Sequence, residues 1–164
     1  MLFYLAPMEG ITGYIVRNAY AHYFPYIDKY FTPFIPAAKK MSKKIKRDLA
    51  AENNGQIRLV PQLIGNRADE FLMMIRQLED LGFTSVNLNF GCPSGTVVSK
   101  RKGAGFLEEP EELEMLLEEV LENSPLAVSV KTRVGIKDPD EWEALCGVYA
   151  KFPLEELIIH PRLQ

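Results

Sequence analysis

The stretch that decides the fold is SVNLNFGCPSGTVVSKRKGAG, Ser85–Gly105. It opens with a run of strand type that stops at a Gly-Cys-Pro turn, and a loop rich in Gly and Lys follows. Its cysteine, Cys92, is one of only two in the chain. A side chain just after a buried strand lies where parallel α/β proteins place their active sites. Cys92 is therefore a candidate functional group, although many free cysteines are only small buried hydrophobes.

Strand-like and helix-like segments alternate along the whole chain. Apolar runs predict six strands, at Leu2–Met8, Tyr26–Ile35, Arg58–Ile64, Thr84–Phe90, Pro125–Val134 and Leu154–Arg162. The segments between them carry apolar residues at helical spacing. An example is the stretch from Asp138, which has the Asp-Pro-x-Glu pattern of a capped helix start. Alternation of this kind predicts βα units and a parallel sheet.

Polar residues distinguish between an open, doubly wound sheet and a closed barrel. Residues able to bind ligands stand at or near the C-terminal ends of different strands, namely Met8, Gln62, Asn89, Lys131 and His160. An open sheet would concentrate such groups at one switch point. Because nearly every strand contributes one, the sequence favours an α/β fold of the (β/α)8 TIM-barrel type. About six βα units are present, so the barrel is predicted to be incomplete.

Each polar group also has a purely structural interpretation. Lys131 either extends its ammonium to solvent or meets an anion. Asn89 either caps the last backbone groups of its strand or contacts a ligand, and His160 is either a buried, hydrogen-bonded histidine or a ligand contact. Their convergence on one rim favours a site. The sequence has no Ser-His-Asp pattern, phosphate-binding loop or pair of carboxylates at strand ends. Hydrogen-bond donors around the thiol of Cys92 therefore suit an organic cofactor that carries the reaction while the protein binds and protonates.

Composition limits the classes of protein. The 164 residues carry a net charge of −3, which gives no overall attraction to nucleic acid or membrane. Two well-separated cysteines without a CxxC argue against disulfides and zinc, and no metal site is expected. Without a recognisable signal peptide, a cytoplasmic protein is expected. The basic stretch Lys39–Arg47 is either solvated surface or a set of phosphate contacts.

Five sequence blocks, APMEGIT, QLIGN, NLNFGCPSGTVVSKRKGAGFL, VKTRVGI and LIIHPR, together resemble the tRNA-dihydrouridine synthases. The resemblance runs in order over the whole chain. It implies a flavoenzyme with an FMN-binding (β/α)8 barrel followed by a helical tRNA-binding domain. Such enzymes use NADPH to reduce FMN and then reduce the C5–C6 double bond of uridines in tRNA. Residues 1–164 would then be part of the barrel domain, without its last strands or the helical domain.

The resemblance also implies roles for individual residues. Cys92 would be the general acid that protonates C5 of uracil while the flavin delivers hydride to C6. The implied FMN-binding residues are Pro7, Met8, Gln62, Lys131 and His160. The implied substrate-binding residues are Asn89, Arg133, Lys100 and Lys102. One departure is Gly13, where many relatives have Asp.

Other functions and states stay open from the sequence. The chain could be another FMN-barrel oxidoreductase, such as a relative of dihydropyrimidine or dihydroorotate dehydrogenases. It could also be a non-catalytic RNA-binding remnant or an inactive fragment. An incomplete barrel predicts weak or absent FMN binding, because barrel phosphate sites usually involve the last strands. The apolar edge segments Leu2–Met8 and Leu157–His160 predict self-association as a homodimer.

Overall fold

The computed structural model describes residues 1–55 and 57–164 as a mixed α/β chain. The strands are β1 Tyr4–Leu5, β2 Lys29–Phe31, β3 Ile35–Pro36, β4 Leu59–Val60, β5 Gln62–Ile64, β6 Ser85–Phe90, β7 Ala127–Arg133 and β8 Leu157–His160. The helices are α1 Tyr14–Tyr23, α2 Lys43–Leu49, α3 Ala51–Asn54, α4 Ala68–Asp80, α5 Gly95–Val98, α6 Pro110–Asn123 and α7 Glu141–Tyr149, with a 3-10 helix at Gly103–Phe106.

Prolines divide two of the predicted strands. The second predicted strand forms β2 and β3 with Pro33 between them, and the third forms β4 and β5 with Pro61 between them. Proline has no N–H to donate to a ladder, so each interruption has a local cause. The first predicted strand, Leu2–Met8, shrinks to β1. Its end enters a turn in which the Met8 carbonyl accepts the Thr12 N–H at 3.0 Å.

The strands follow one another in space as they do in sequence. The hydrogen-bonded orders are β1-β2-β4 and β3-β5-β6-β7-β8, and every pair is parallel. Strands β2 and β3 are the two halves of one interrupted strand, and β4 and β5 are the two halves of another. The two sheets therefore form one continuous arc of six strands. Helices α4, α6 and α7 pack on the same side of the arc through a shared apolar core. The arc is therefore part of a (β/α) barrel that is not closed, as predicted.

The two faces of the arc differ in chemistry. On β6, Val86, Leu88 and Phe90 belong to an apolar core shared with α4, α6 and α7. The alternate residues Asn87 and Asn89 point to the inner face and are buried there. The outer face therefore holds the helices by apolar burial, while the inner face presents polar side chains.

An ion pair lies across the inner face at the N-terminal ends of the strands. The Glu156 carboxylate accepts from Lys29 Nζ and from the Tyr4 hydroxyl, each at 2.7 Å. Although burial opposes ionisation, these two hydrogen bonds lower the pKa of Glu156. The cluster joins β1, β2 and the residue before β8 across the interior. The charge of Lys29 is therefore balanced by Glu156 at the N-terminal ends of the strands.

A buried arginine fixes the start of α1 against α2 and α3. Arg17 is fully buried, and its guanidinium donates to the Thr12 carbonyl, to the side chain and carbonyl of Asp48, and to Asn54 Oδ1. The other oxygen of Asp48 accepts the Tyr14 N–H at 2.8 Å. Asp48 therefore caps α1 from another helix, beside Gly13, where a local carboxylate is missing.

The helix starts follow the predicted patterns with one shift. Pro110 opens α6 as its first residue. Helix α7 begins at Glu141, later than the predicted cap at Asp138. One capping-box contact still forms, because Glu141 accepts the Asp138 N–H at 3.0 Å. The Asp138 carboxylate accepts the Asp140 N–H at 2.9 Å instead of the Glu141 N–H.

Replacing Asp48 with alanine tests the Arg17 cluster. Asp48→Ala leaves a buried guanidinium without its carboxylate, so we expect the free energy of unfolding to fall by about 3–5 kcal/mol. Urea unfolding followed by circular dichroism measures the change. The matched control is Asp80→Ala at the exposed end of α4, expected to stay within about 0.5 kcal/mol of the unchanged protein. Equal stability of the two variants would contradict the proposed contribution of this cluster to the free energy of unfolding.

Candidate functional site

Five of the predicted site residues occupy neighbouring positions on the inner face. In the parallel register, Asn89 on β6 is opposite Lys131 on β7, and Arg133 on β7 is opposite His160 on β8. Gln62 begins β5 and accepts a hydrogen bond from the Asn89 amide at 2.8 Å. The structure therefore brings these five side chains together near the C-terminal ends of β5–β8.

The Gly91–Cys92 turn is held through all of its backbone polar groups. The N–H groups of Gly91 and Cys92 both donate to Asn89 Oδ1, at 3.0 and 2.9 Å. The Gly91 carbonyl accepts from Arg133 Nε at 2.8 Å, and the Cys92 carbonyl accepts the Ala104 N–H at 3.0 Å. The half-buried thiol of Cys92 is thus carried on a turn fixed by β6, by β7 and by the following loop.

Glycine at position 103 allows the Lys-rich loop to lie against this turn. Gly103 has φ +55°, a left-handed conformation that favours glycine. A Cβ there would lie 2.7 Å from the Cys92 carbonyl oxygen and 2.9 Å from a methyl group of Val97. The Gly-rich sequence after Cys92 is therefore required for close packing.

Asn89 has the structural role that sequence analysis left open. Its oxygen caps the N–H groups beyond the end of β6, and its amide donates to Gln62. Arg133, predicted as a substrate contact, also donates to the Leu163 carbonyl at 2.6 Å. Both residues therefore hold backbone, and no substrate contact is needed to explain their positions.

Uncompensated positive charge distinguishes the rim from the opposite end. Burial lowers the pKa of the half-buried Lys131, the charge of Arg133 lowers it further, and Cys92 opposes both. Among residues 1–55 and 57–164, no acidic side chain lies within ion-pair distance of Lys131. Burial, and after it the charges of neighbouring cations, lower the pKa of His160. The rim thus offers cations, and these suit an anionic ligand.

Other predicted residues lie farther along the rim. Half-buried Pro7 and exposed Met8 follow β1, and within the described chain no hydrogen bond joins them to the β5–β8 cluster. Lys100 is exposed and Lys102 is half-buried, both in the loop after α5. The structure places these four residues on loops at the strand ends.

Two residues of the inner face were missed from the sequence. Asn87 donates to Ser129 Oγ at 2.9 Å and accepts from Gln62 at 2.7 Å. The period of two in SVNLNF places Asn87 and Asn89 on one face, and that signal could have identified Asn87. Ser129 looks like any small residue of an apolar strand, so only the register of β7 identifies it.

A groove of about 600 Å³ lies between the loop after β1, the β2–β3 segment and α2. Its lining includes the aromatic residues Tyr14 and Phe34, the basic residues Lys44 and Arg47, and the acidic residues Glu9 and Asp48. Part of the stretch Lys39–Arg47 therefore lines a concave surface at the strand ends.

Two kinds of feature do not occur in the described chain. Over residues 1–55 and 57–164, none of the helices combines the length and apolar character that crossing a bilayer requires. Nor do three or more His, Cys, Asp or Glu side chains of that part gather as metal ligands.

Comparison with known proteins gives a consistent result. The family model described as dihydrouridine synthase matches residues 4–164. A probable tRNA-dihydrouridine synthase of Staphylococcus epidermidis is 30% identical over 164 residues, covering 98% of this chain and 49% of that protein. A probable tRNA-dihydrouridine synthase 2 of Bacillus subtilis is 29% identical, covering 98% of this chain and 50% of that protein. The chain thus spans about half the length of these relatives.

Substitution of Gly103 tests the packing around Cys92. Gly103→Ala places a Cβ against the Cys92 carbonyl and strains the left-handed backbone, so we expect a loss of at least about 1–2 kcal/mol in the free energy of unfolding. The matched control is Gly95→Ala in α5, where a Cβ would meet no atom within 4 Å. That control should be neutral or stabilising by up to about 1 kcal/mol. If urea unfolding gave equal stability for both variants, the described packing of the loop on Cys92 would be wrong.

Proposed function

This chain belongs to the dihydrouridine synthase family, and from that premise we propose that it contributes the catalytic rim of a flavin-dependent enzyme that reduces uridine in tRNA to 5,6-dihydrouridine. The observation that carries the proposal is the fixed Gly91–Cys92 turn above an inner face of hydrogen-bond donors. A thiol held in one place beside such a face suits a proton donor.

The donors at the rim fit flavin mononucleotide, which carries a phosphate and a polar ring edge. Lys131 has no acidic partner in the described chain, and Gln62 Nε2 keeps a second hydrogen beyond the one given to Asn87. We propose that Gln62 and Lys131 hold the polar edge of the ring. Pro7 and Met8 would lie against the ring, and His160 would contact its phosphate or side. When bound and reduced by NADPH, flavin mononucleotide supplies the hydride for C6 of uracil.

Cys92 completes the reduction by supplying the proton. Its S–H bond breaks as a C–H bond forms at C5, and the thiolate later recovers a proton from solvent. The uracil has to leave the base stack to reach the rim, as other base-modifying enzymes require.

We propose tRNA as the partner of the surface beside the rim. The groove next to α2 presents Lys44 and Arg47 for phosphate groups and Tyr14 and Phe34 for stacking with bases. Lys100 and Lys102 extend basic surface along the loop that follows Cys92. This arrangement favours RNA over a free nucleobase, which would need no such surface.

Self-association through open sheet edges is a further part of the proposal. Strands β1 and β8 are the two ends of the arc, and each pairs on one side only. Leu2, Phe3 and Ile159 are exposed beside them. A second copy that covers these edges would remove unpaired backbone groups and apolar surface from water.

The catalytic role of Cys92 is tested by Cys92→Ala. We expect uridine reduction in unmodified tRNA, with FMN and NADPH supplied, to slow by about 10²–10⁴-fold, since general acid catalysis typically contributes that much. Binding and NADPH-driven reduction of the flavin should not change. Cys146→Ala, at an exposed position of α7, is the control and should keep the rate. A Cys92→Ala protein that reduces uridine at the unchanged rate would refute the assignment.

The proposed RNA contacts predict a dependence on salt. Changing Lys43, Lys44 and Lys46 to Gln should weaken tRNA binding. It should also lower the slope of log affinity against log salt by up to about one for each lost phosphate contact. The control is Lys151→Gln, because Lys151 is paired with Glu114 on another face. A slope that is the same in the triple variant, the control and the unchanged protein would assign these lysines to plain surface.

A further inference from the structure

A chain of side-chain hydrogen bonds crosses the inner face from β7 to the Cys92 turn. Ser129 Oγ donates to the Val86 carbonyl at 3.1 Å, and Asn87 Nδ2 donates to Ser129 Oγ at 2.9 Å. Gln62 Nε2 donates to Asn87 Oδ1 at 2.7 Å, and Asn89 Nδ2 donates to Gln62 Oε1 at 2.8 Å. Each carboxamide thus donates to the previous member and accepts from the next.

The direction of this chain is fixed at both ends by backbone. At one end the Val86 carbonyl can only accept, so the Ser129 hydroxyl must donate to it and can accept from Asn87. At the other end the N–H groups of Gly91 and Cys92 can only donate. An amide flip at any member would set two acceptors or two donors against each other. Both ends therefore require the same orientation for every carboxamide between them.

We propose that Asn89 is a positioning residue for Cys92, and that Ser129, Asn87 and Gln62 fix the orientation in which it acts. The inference rests on the proposed function in one respect only, the role of the Cys92 thiol as proton donor. Asn89 Oδ1 receives both N–H groups of the turn because its Nδ2 is committed to Gln62.

Burial makes the orientation costly to disturb. Gln62 and Asn87 are fully buried, Ser129 is 1% exposed and Asn89 is 7% exposed. Water therefore has little access to a carboxamide that loses its partner, and an unpaired buried amide costs more than an exposed one. A loosened Asn89 should release the Cys92 turn into locally open conformations.

Alkylation of the two cysteines measures this release without cofactor or RNA. Iodoacetamide modification of Cys92 and Cys146 is followed by mass spectrometry in the same molecules, with exposed Cys146 as the internal reference. Rates are compared on their high-pH plateaus, where both thiols are ionised, so that a changed thiol pKa does not enter. For Asn89→Ala we expect a rise of about tenfold in the Cys92 rate relative to Cys146.

Conservative variants separate positioning from general damage. Asn89→Asp keeps an acceptor for the two N–H groups but loses the Nδ2 donor to Gln62, so its Cys92 plateau should rise less than that of Asn89→Ala. Gln62→Met keeps the volume but leaves Asn89 Nδ2 without a partner, and should raise the rate by about threefold. Ser85→Ala removes a buried hydroxyl from the same face of β6, outside the hydrogen-bond chain, and should change nothing.

A double variant tests the order of the hydrogen-bond chain. Because Gln62 is proposed to act through Asn89, Gln62→Met should add nothing to the rate of Asn89→Ala. Equal effects of Gln62→Met in both backgrounds, or no effect in either, would overturn the proposal, as would a Cys92 plateau unchanged in Asn89→Ala. If Asn89→Ala does not fold, Gln62→Met against Ser85→Ala still decides it. If Cys92 were not the general acid, the rate of uridine reduction by Cys92→Ala would show it, and these alkylation rates would not.

Discussion

The Gly91–Cys92 turn is the constraint on which the other features of the site depend. Its four backbone polar groups are satisfied by Asn89, Arg133 and Ala104. Each partner comes from a different part of the chain, so the observed geometry of the turn depends on β6 and β7 in register and on the Lys-rich loop folded back. A short sequence motif thereby acquires its geometry from long-range pairing.

The distribution of charge distinguishes the two ends of the interior. At the N-terminal ends of the strands, Glu156 balances Lys29. At the C-terminal ends, Lys131 and Arg133 have no such balance within the described chain, and the carboxamides between the two ends are neutral. A ligand with negative charge is therefore favoured near Cys92. The apolar contacts with the helices are on the outer face, apart from these polar groups.

Local signals predicted the order of strands and helices and the rim, because hydrophobic period and strand-end position are properties of neighbouring residues. The breaks at Pro33 and Pro61 are also local, because proline has no N–H to donate to a ladder. The cap that Asp48 provides for α1 was not predictable, because it comes from a distant helix. Asn89 was left with two roles, since only the register and the turn geometry show where its oxygen points.

Protection of Cys92 by the cofactor tests the central claim most directly. The chain is titrated with flavin mononucleotide up to millimolar concentration, binding is followed by flavin fluorescence, and alkylation of Cys92 and Cys146 is measured at each step. The account predicts that the Cys92 rate falls along the binding curve while the Cys146 rate stays constant. Flavin binding that leaves Cys92 as reactive as before would contradict a flavin site beside this thiol.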